Sequence, residues 1–205
     1  MAELHYIRQA GQLLGVRREQ GARVSRPNFM KEHWNKVYSG KPNGHKFRQF
    51  SVKELSGILA YFPKAQVAFD LGCGQGKLMK QLKSRDIDAY GVDFSEEAKK
   101  QSVVPDKTKI SDLNSFVPPF KVDIFFLKFV IAFIRNKNLL RRLKPFIKKN
   151  GGIVILTPIG IGLKCCIKEK RLKEMCNGFI IEKEEVWYKD KEKNRKLVLL
   201  ILRKK

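Results

Sequence analysis

Apolar positions along this chain follow two alternating patterns. From Ser51 to Phe62, Leu55, Ile58, Leu59 and Phe62 recur at helical spacing. Ser51 with Glu54 three residues later forms a capping box, and Pro63 stops the helix. Val67 to Leu71 is then a short apolar run interrupted only by Asp70, the pattern of a buried strand. Leu78, Met79 and Leu82 return to helical spacing, and Ile87 to Val92 is a second strand ending at Asp93. Ser95 caps a short helix with Glu96 and Glu97 in its first turn. A weak third strand covers Lys107–Ile110, and Val122 to Leu127 is a fourth, nearly continuous in apolar residues. The next helix is expected to end in the run Phe146 to Gly152, before a fifth strand from Ile153 to Leu156. The last third predicts a helix over Leu163–Cys176, then strands over Phe179–Trp187 and Leu197–Leu202 around a charged tip at Lys189–Lys196, an antiparallel hairpin. Upstream, Trp34 and Tyr38 lie on one face of a helix over Met30–Tyr38, followed by a turn at Lys41-Pro42-Asn43-Gly44. Strands alternating with helices give an α/β class with a mostly parallel sheet.

The junction between the first strand and its helix carries the chemistry. It reads Asp70-x-Gly72-x-Gly74-x-Gly76, three glycines at alternate positions with an acid at the strand's end. Backbone without Cβ atoms lets a ligand approach closely, and the helix N-terminus that follows favours a negative group. A dinucleotide fingerprint would have its last glycine at position 77, which is Lys77. With its acid and G-x-G-x-G, the stretch resembles the first motif of the class I S-adenosylmethionine-dependent methyltransferases. Asp93 stands 17 residues after Gly76, at the end of the second strand, and Ser111-Asp112-Leu113 follows the third.

This resemblance implies a doubly wound, Rossmann-like sheet of seven strands in the order 3-2-1-4-5-7-6, closed by the antiparallel hairpin. It implies S-adenosyl-L-methionine as cofactor, with Asp93 on the ribose hydroxyls and Asp112 against the adenine amino group. The cofactor-binding set it gives is Asp70, Gly72, Cys73, Gly74, Gly76, Asp93, Phe94, Asp112, Leu113 and Leu127. The Trp34/Tyr38 helix would fold over the cofactor as a lid. Asn150-Gly151-Gly152 looks like the family's turn before the fifth strand, and Leu143-Lys144-Pro145 mimics it out of register. The acceptor would sit above Leu127-Lys128-Phe129-Val130 and Thr157-Pro158-Ile159-Gly160, the ends of the fourth and fifth strands. Lys128-Phe129-Val130-Ile131 lacks the Asp/Asn-Pro-Pro-aromatic sequence of nucleic-acid amino methyltransferases. Cys165 and Cys166 fall about one helical turn into the next element and read as structural thiols, not as a cytosine-C5 nucleophile. Cys73 matters for its backbone. His5, His33 and His45 are scattered, no metal-ligand spacing appears, and no catalytic base is named.

Charge bears on the acceptor. The chain has 205 residues and a net charge of +23, of which residues 128–205 hold +15. Lys164, Lys168, Lys170, Arg171 and Lys173 are expected beside the acceptor face. Clustered basicity is the footprint of a nucleic-acid binder, and a Lys-rich composition that builds a solvated face gives the same excess. RNA is therefore one expected partner. A small molecule, a protein side chain and a non-catalytic S-adenosylmethionine- or RNA-binding module are the alternatives. Residues 1–26 hold five arginines and no lysine, against 8 arginines and 30 lysines in residues 27–205, so they read as a basic, poorly ordered appended arm. Residues 27–205 form the methyltransferase domain, with 27–62 as the helical N-terminal segment and 67–205 as the sheet core. Four unpaired cysteines suit a reducing compartment, and no apolar stretch is long enough to span a membrane. A cytoplasmic protein is expected. The sequence is silent on oligomeric state.

Overall fold

A computed structural model describes residues 26–39, 49–160, 166–190 and 194–205 of the chain. Helix α1 spans Arg26–Ser39 and α2 spans Val52–Leu59. Strand β1 (Val67–Leu71), α3 (Lys77–Lys83), β2 (Asp88–Asp93), α4 (Glu96–Lys100) and β3 (Thr108–Ile110) follow. Then come β4 (Val122–Lys128), α5 (Leu139–Leu143), β5 (Ile147–Ile159), α6 (Glu169–Cys176), β6 (Phe179–Asp190) and β7 (Arg195–Lys204). One seven-stranded sheet runs in the order β3-β2-β1-β4-β5-β7-β6, parallel except where β7 pairs antiparallel with both β5 and β6.

The nearly continuous apolar runs are explained by burial on two faces. Along β4, Phe125 and Leu127 point into a cluster with Phe69, Leu71 and Val92, under Leu140, Leu143, Leu172 and Met175 of α5 and α6. Their neighbours Ile124 and Phe126 point the other way, to Leu55 and Ile58 of α2 and Leu78, Met79 and Leu82 of α3. Ser51 caps α2 as its sequence predicts: its hydroxyl accepts from the Glu54 N–H at 3.2 Å, and its own N–H donates to the Glu54 carboxylate at 2.8 Å. Registers Asp70↔Gly91 and Asp70↔Phe126 set the end of β1 beside β2 and β4, so the carboxyl ends of all three open on one side.

Several boundaries differ from the sequence reading, among them the helix read to Phe62, which ends at Leu59. The fourth-strand helix ends at Leu143 and Lys144–Phe146 is a 3₁₀ turn, because Pro145 cannot continue the hydrogen-bonded spiral. Strand β5 begins at Ile147, and Asn150-Gly151-Gly152 lies in a bulge within it. Pairing there jumps from Val122↔Ile147 to Ile124↔Gly152, with Asn150 at φ +66°. Helix α6 starts at Glu169 and not at Leu163, because Ile167 is taken by the sheet end. Its N–H donates to Pro158 O at 3.0 Å and its carbonyl accepts from Gly160 at 3.2 Å. Cys166 therefore precedes the helix, while Lys164 and Cys165 lie outside the described residues. The hairpin strands reach Asp190 and Arg195, further into the charged tip than their apolar cores suggest. Residues 1–25 and the turn at 41–44 also lie outside the described residues, and α1 opens at Arg26, one residue inside the stretch assigned to the arm. Among the described residues, no helix is long and apolar enough to cross a membrane.

Candidate functional site

The glycine turn is shaped by the strand beside it. Gly72 and Cys73 donate their N–H groups to the Val92 carbonyl at 2.7 and 3.1 Å, folding the chain back across the end of β2. Gly72 and Gly74 have φ of +79° and +53°, where side chains are disfavoured. Space is refused as well: a Cβ on Gly72 would stand 2.7 Å from a Val130 methyl, and one on Gly74 would stand 2.5 Å from the Tyr38 hydroxyl. The turn is thus pressed between the corner after β4 and helix α1.

Two acids close the turn from below. Asp93 is buried at 7% exposure, and each of its carboxylate oxygens takes one backbone N–H at 2.9 Å, from Gly74 and from Ser95. Burial raises its pKa, while the N–H groups of Ser95, Gly74 and Phe94 hold it down. Asp70, 2% exposed, has its pKa pushed up to about 7 by burial, with Lys128 opposing and Asp93 adding to the rise. The Cys73 thiol is driven well above its usual range by burial and by both acids, so its sulfur stays protonated.

The loops after β3 and β4 form the third side and are stitched together. Asp112 Oδ1 accepts from the Asn114 N–H and Nδ2, both at 2.8 Å, in a local turn. Asn114 Oδ1 in turn accepts from the N–H groups of Arg135 and Asn136 at 2.8 and 3.1 Å. Arg142 clamps the same loop, donating to the carbonyls of Asn114 and Leu113 at 2.7 and 3.0 Å. The corner after β4 is strained: Phe129 has φ +60°, unusual for an aromatic residue, with its N–H fixed on Leu156 O at 2.8 Å.

Helix α1 forms the roof. Lys31 pairs with Glu96 at 2.7 Å, Ser95 donates to Asn35 Oδ1 at 2.7 Å, and the Trp34 ring meets Phe133 edge-on at 5.5 Å. Gln101 Nε2 donates to the Tyr38 carbonyl from below.

Between these walls lies a cavity of about 510 Å³. It brings together eight of the ten residues read from sequence as cofactor-binding: Asp70, Gly72, Cys73, Gly74, Asp93, Phe94, Asp112 and Leu113. Gly76 and Leu127 do not line it. Gly76 is the residue before α3, its N–H on Cys73 O at 3.0 Å, and Leu127 is fully buried in the core. Trp34, Tyr38, Lys128 and Val130, flagged from sequence as lid and strand-end residues, also line the cavity. Sequence reasoning missed Gln49, Phe133, Arg135 and Asn136, which reach it from loops with no motif of their own. No group of three or more His, Cys, Asp and Glu suited to a metal occurs among the described residues.

Residues 69–155 match the family model described as a methyltransferase domain. No curated protein matches the sequence. Among solved structures, the fold is similar to magnesium protoporphyrin IX methyltransferase from Synechocystis PCC 6803 with bound S-adenosylmethionine. The TM-score is 0.67 and the identity 15%, over 90% of this chain and all of that one. It is also similar to geranyl diphosphate C-methyltransferase from Streptomyces coelicolor A3(2), with a TM-score of 0.66 and 13% identity, over 90% of this chain and 100% of that one. TehB from Haemophilus influenzae gives a TM-score of 0.62 at 18% identity, over 83% of this chain and 67% of that one. At such identities these structures speak for the fold, and the matched segment, which holds the glycine turn and both strand-end acids, speaks for the chemistry.

Proposed function

We propose that this chain, a class I S-adenosylmethionine-dependent methyltransferase, transfers the cofactor's methyl group to a small acceptor held between α1 and the end of β4. One observation carries the reading. Besides the glycine turn and the acids, the aromatic and aliphatic side chains Trp34, Phe129, Val130 and Phe133 line the same cavity. Apolar side chains lining a cavity of this kind suit a compact molecule.

In this reading Asp93 accepts from the two ribose hydroxyls, its backbone contacts holding the carboxylate in place. Asp112 faces the adenine amino group, and Phe94 and Leu113 give the ring apolar contact. The backbone of Gly72 to Gly74 lies along the methionine part, and Asp70 takes its ammonium. Gly76 and Leu127 act one layer back, by shaping the turn and the strand end. When bound, the cofactor supplies the sulfonium methyl. The protein's share is orientation: holding the acceptor in line with the methyl carbon removes most of the entropic cost of the encounter. The apolar walls keep water away from the sulfonium.

A small acceptor also accords with the names of two proteins of similar fold, which specify a porphyrin and a prenyl diphosphate. An RNA acceptor rests on the basic C-terminal third. Six cations there sit in ion pairs, among them Lys173 with Glu169 and Arg203 with Glu182. Of the cluster expected beside the acceptor face, Arg171 donates to the carbonyl of the cavity-lining Ile134. Lys121, Lys148, Lys149, Arg203, Lys204 and Lys205 surround a second depression, at the start of β4 and the end of β7.

The test is a transfer assay with methyl-tritiated S-adenosylmethionine and separate RNA, protein and small-molecule fractions of a cell extract. Label in the small-molecule fraction is expected. Label in RNA alone would favour the basic surface, and no label in any fraction, from protein that binds the cofactor, would leave a non-catalytic binding module.

A further inference from the structure

We propose that Arg142, on α5 behind the cavity wall, is a positioning residue that lets the Asp112 loop tell adenine from bases without a 6-amino group. This rests on the methyl-transfer reading above and traces the cofactor specificity of that site to a residue outside it.

The Asp112 carboxylate has two oxygens and two tasks. Its Oδ1 accepts from the N–H and the Nδ2 of Asn114, both at 2.8 Å, and the Asp112 carbonyl accepts from the Phe116 N–H at 2.8 Å. Two donors on one oxygen fix the side-chain torsion, which leaves Oδ2 to accept from an adenine amino group. Asp112 lines the cavity but is an exposed residue, so the direction of Oδ2 is only as definite as the loop that carries it.

Between Ile110 and Val122 that loop contains neither helix nor strand. Its carbonyls converge instead on one cation. Arg142 Nη1 donates to Asn114 O at 2.7 Å, and Nη2 donates to Leu113 O at 3.0 Å and to Phe116 O at 3.4 Å. Holding three carbonyls from four consecutive residues takes a planar fork, whereas a lysine ammonium presents its donors from a single point. All three partners are main-chain groups, so the guanidinium fixes the course of the backbone.

The fork is itself fixed. Leu139, Leu140 and Leu143 of α5 are fully buried, and the Arg142 N–H donates to Asn138 O at 2.9 Å. Asn114 supplies a second brace: its Oδ1 accepts from the N–H groups of Arg135 and Asn136, and Asn136 Nδ2 donates to Asn114 O at 3.2 Å. The Asp112 turn is therefore held on two sides by the chain that follows β4. Without the guanidinium the loop keeps its apolar anchors, Leu113 and Phe116, but loses the bonds that aim it. A shift of about 1 Å then takes Oδ2 out of hydrogen-bond range.

The test compares S-adenosylhomocysteine with S-inosylhomocysteine, whose base carries a 6-oxo group in place of the 6-amino group, by calorimetric titration of the full chain. A hydrogen bond to a charged group implies that the native chain prefers the adenosyl ligand by at least about tenfold. In Arg142→Gln that preference should fall to about threefold or less, through weaker binding of S-adenosylhomocysteine, and Asn114→Ala should narrow it in the same way. Arg141→Gln, an exposed change on the same helix, should leave it as it is. A merely structural role weakens both ligands alike, so an unchanged preference in folded Arg142→Gln overturns the proposal. Where Arg142→Gln does not fold, Asn114→Ala decides by the same two outcomes. Equal affinity of the native chain for both ligands overturns the proposal and leaves cofactor binding standing. A native chain that binds neither ligand overturns the methyl-transfer reading as well.

Discussion

Asp93 is where backbone and ligand requirements meet. Its carboxylate fixes the turn through Gly74 and the start of α4 through Ser95, and the residue lines the cavity. A hydrogen bond to a charged group contributes about 1.5–3 kcal/mol. Asp93→Asn should therefore weaken S-adenosylmethionine binding at least tenfold by calorimetry, with the far-ultraviolet circular dichroism unchanged. Asp70 behaves differently, because its cost falls on the empty protein. Its folded pKa of about 7 lies above the ordinary 3.8, so the folded state holds its proton more tightly than the unfolded state does. Stability is then lost as pH rises from about 4 to about 7, by an amount on the order of 4 kcal/mol. Asp70→Asn should raise the cofactor-free Tm at pH 8 by at least about 5 °C, an advantage that narrows toward pH 5. The Tm increase that saturating S-adenosylmethionine produces should be smaller in this variant than in the native chain. A lower Tm at pH 8 would show that the buried charge is compensated. Gly74→Ala places a methyl group 2.5 Å from the Tyr38 hydroxyl on a backbone with φ +53°. Loss of cofactor binding with a stability loss of about 1–2 kcal/mol is expected in a thermal melt, and Tyr38→Phe in the same chain should recover only part of it.

At the level of elements, the patterns that proved legible were those set by local chemistry. Both halves of the Ser51/Glu54 capping box form, and Ser51→Ala should cost about 1 kcal/mol, read as a fall in Tm of about 2–4 °C. Strands β1 and β4 were visible because two-sided burial writes a nearly continuous apolar run. Apart from the helix end set by Pro145, the larger departures come from pairing that no local pattern encodes. Leu163 to Cys176 reads as helical, yet Ile167 completes the end of β5 and α6 begins only after it. Lys148 and Lys149 read as a helix end, yet they belong to the bulged start of β5, where Lys148 meets Asp123 at 3.1 Å. Within the site, motif-borne residues such as Asp70, Gly74 and Asp93 were legible. Gln49, Phe133, Arg135 and Asn136 were not, because their contacts with Lys128, Trp34 and Asn114 come from distant parts of the chain.

For the whole molecule, the sheet order puts every chemically distinctive residue on one end. Asp70, Asp93, Asp112 and Lys128 all end or follow strands β1 to β4, and α1 covers that end, tied down by Lys31, Asn35 and Trp34. The depression ringed by Lys121, Lys148, Lys149 and Lys204 takes the other end of β4, so positive charge there need not concern the acceptor. A heparin column separates the two uses of charge: replacing Lys148, Lys149 and Lys204 by Gln should lower the eluting salt concentration while leaving S-adenosylmethionine affinity unchanged. The central claim is that Asp93 and the glycine turn form the cofactor site, and calorimetric titration of S-adenosylmethionine into the native chain and into Asp93→Asn tests it most directly. The account predicts one molecule bound per native chain and at least tenfold weaker binding in the variant, and equal affinity in the two proteins would contradict it.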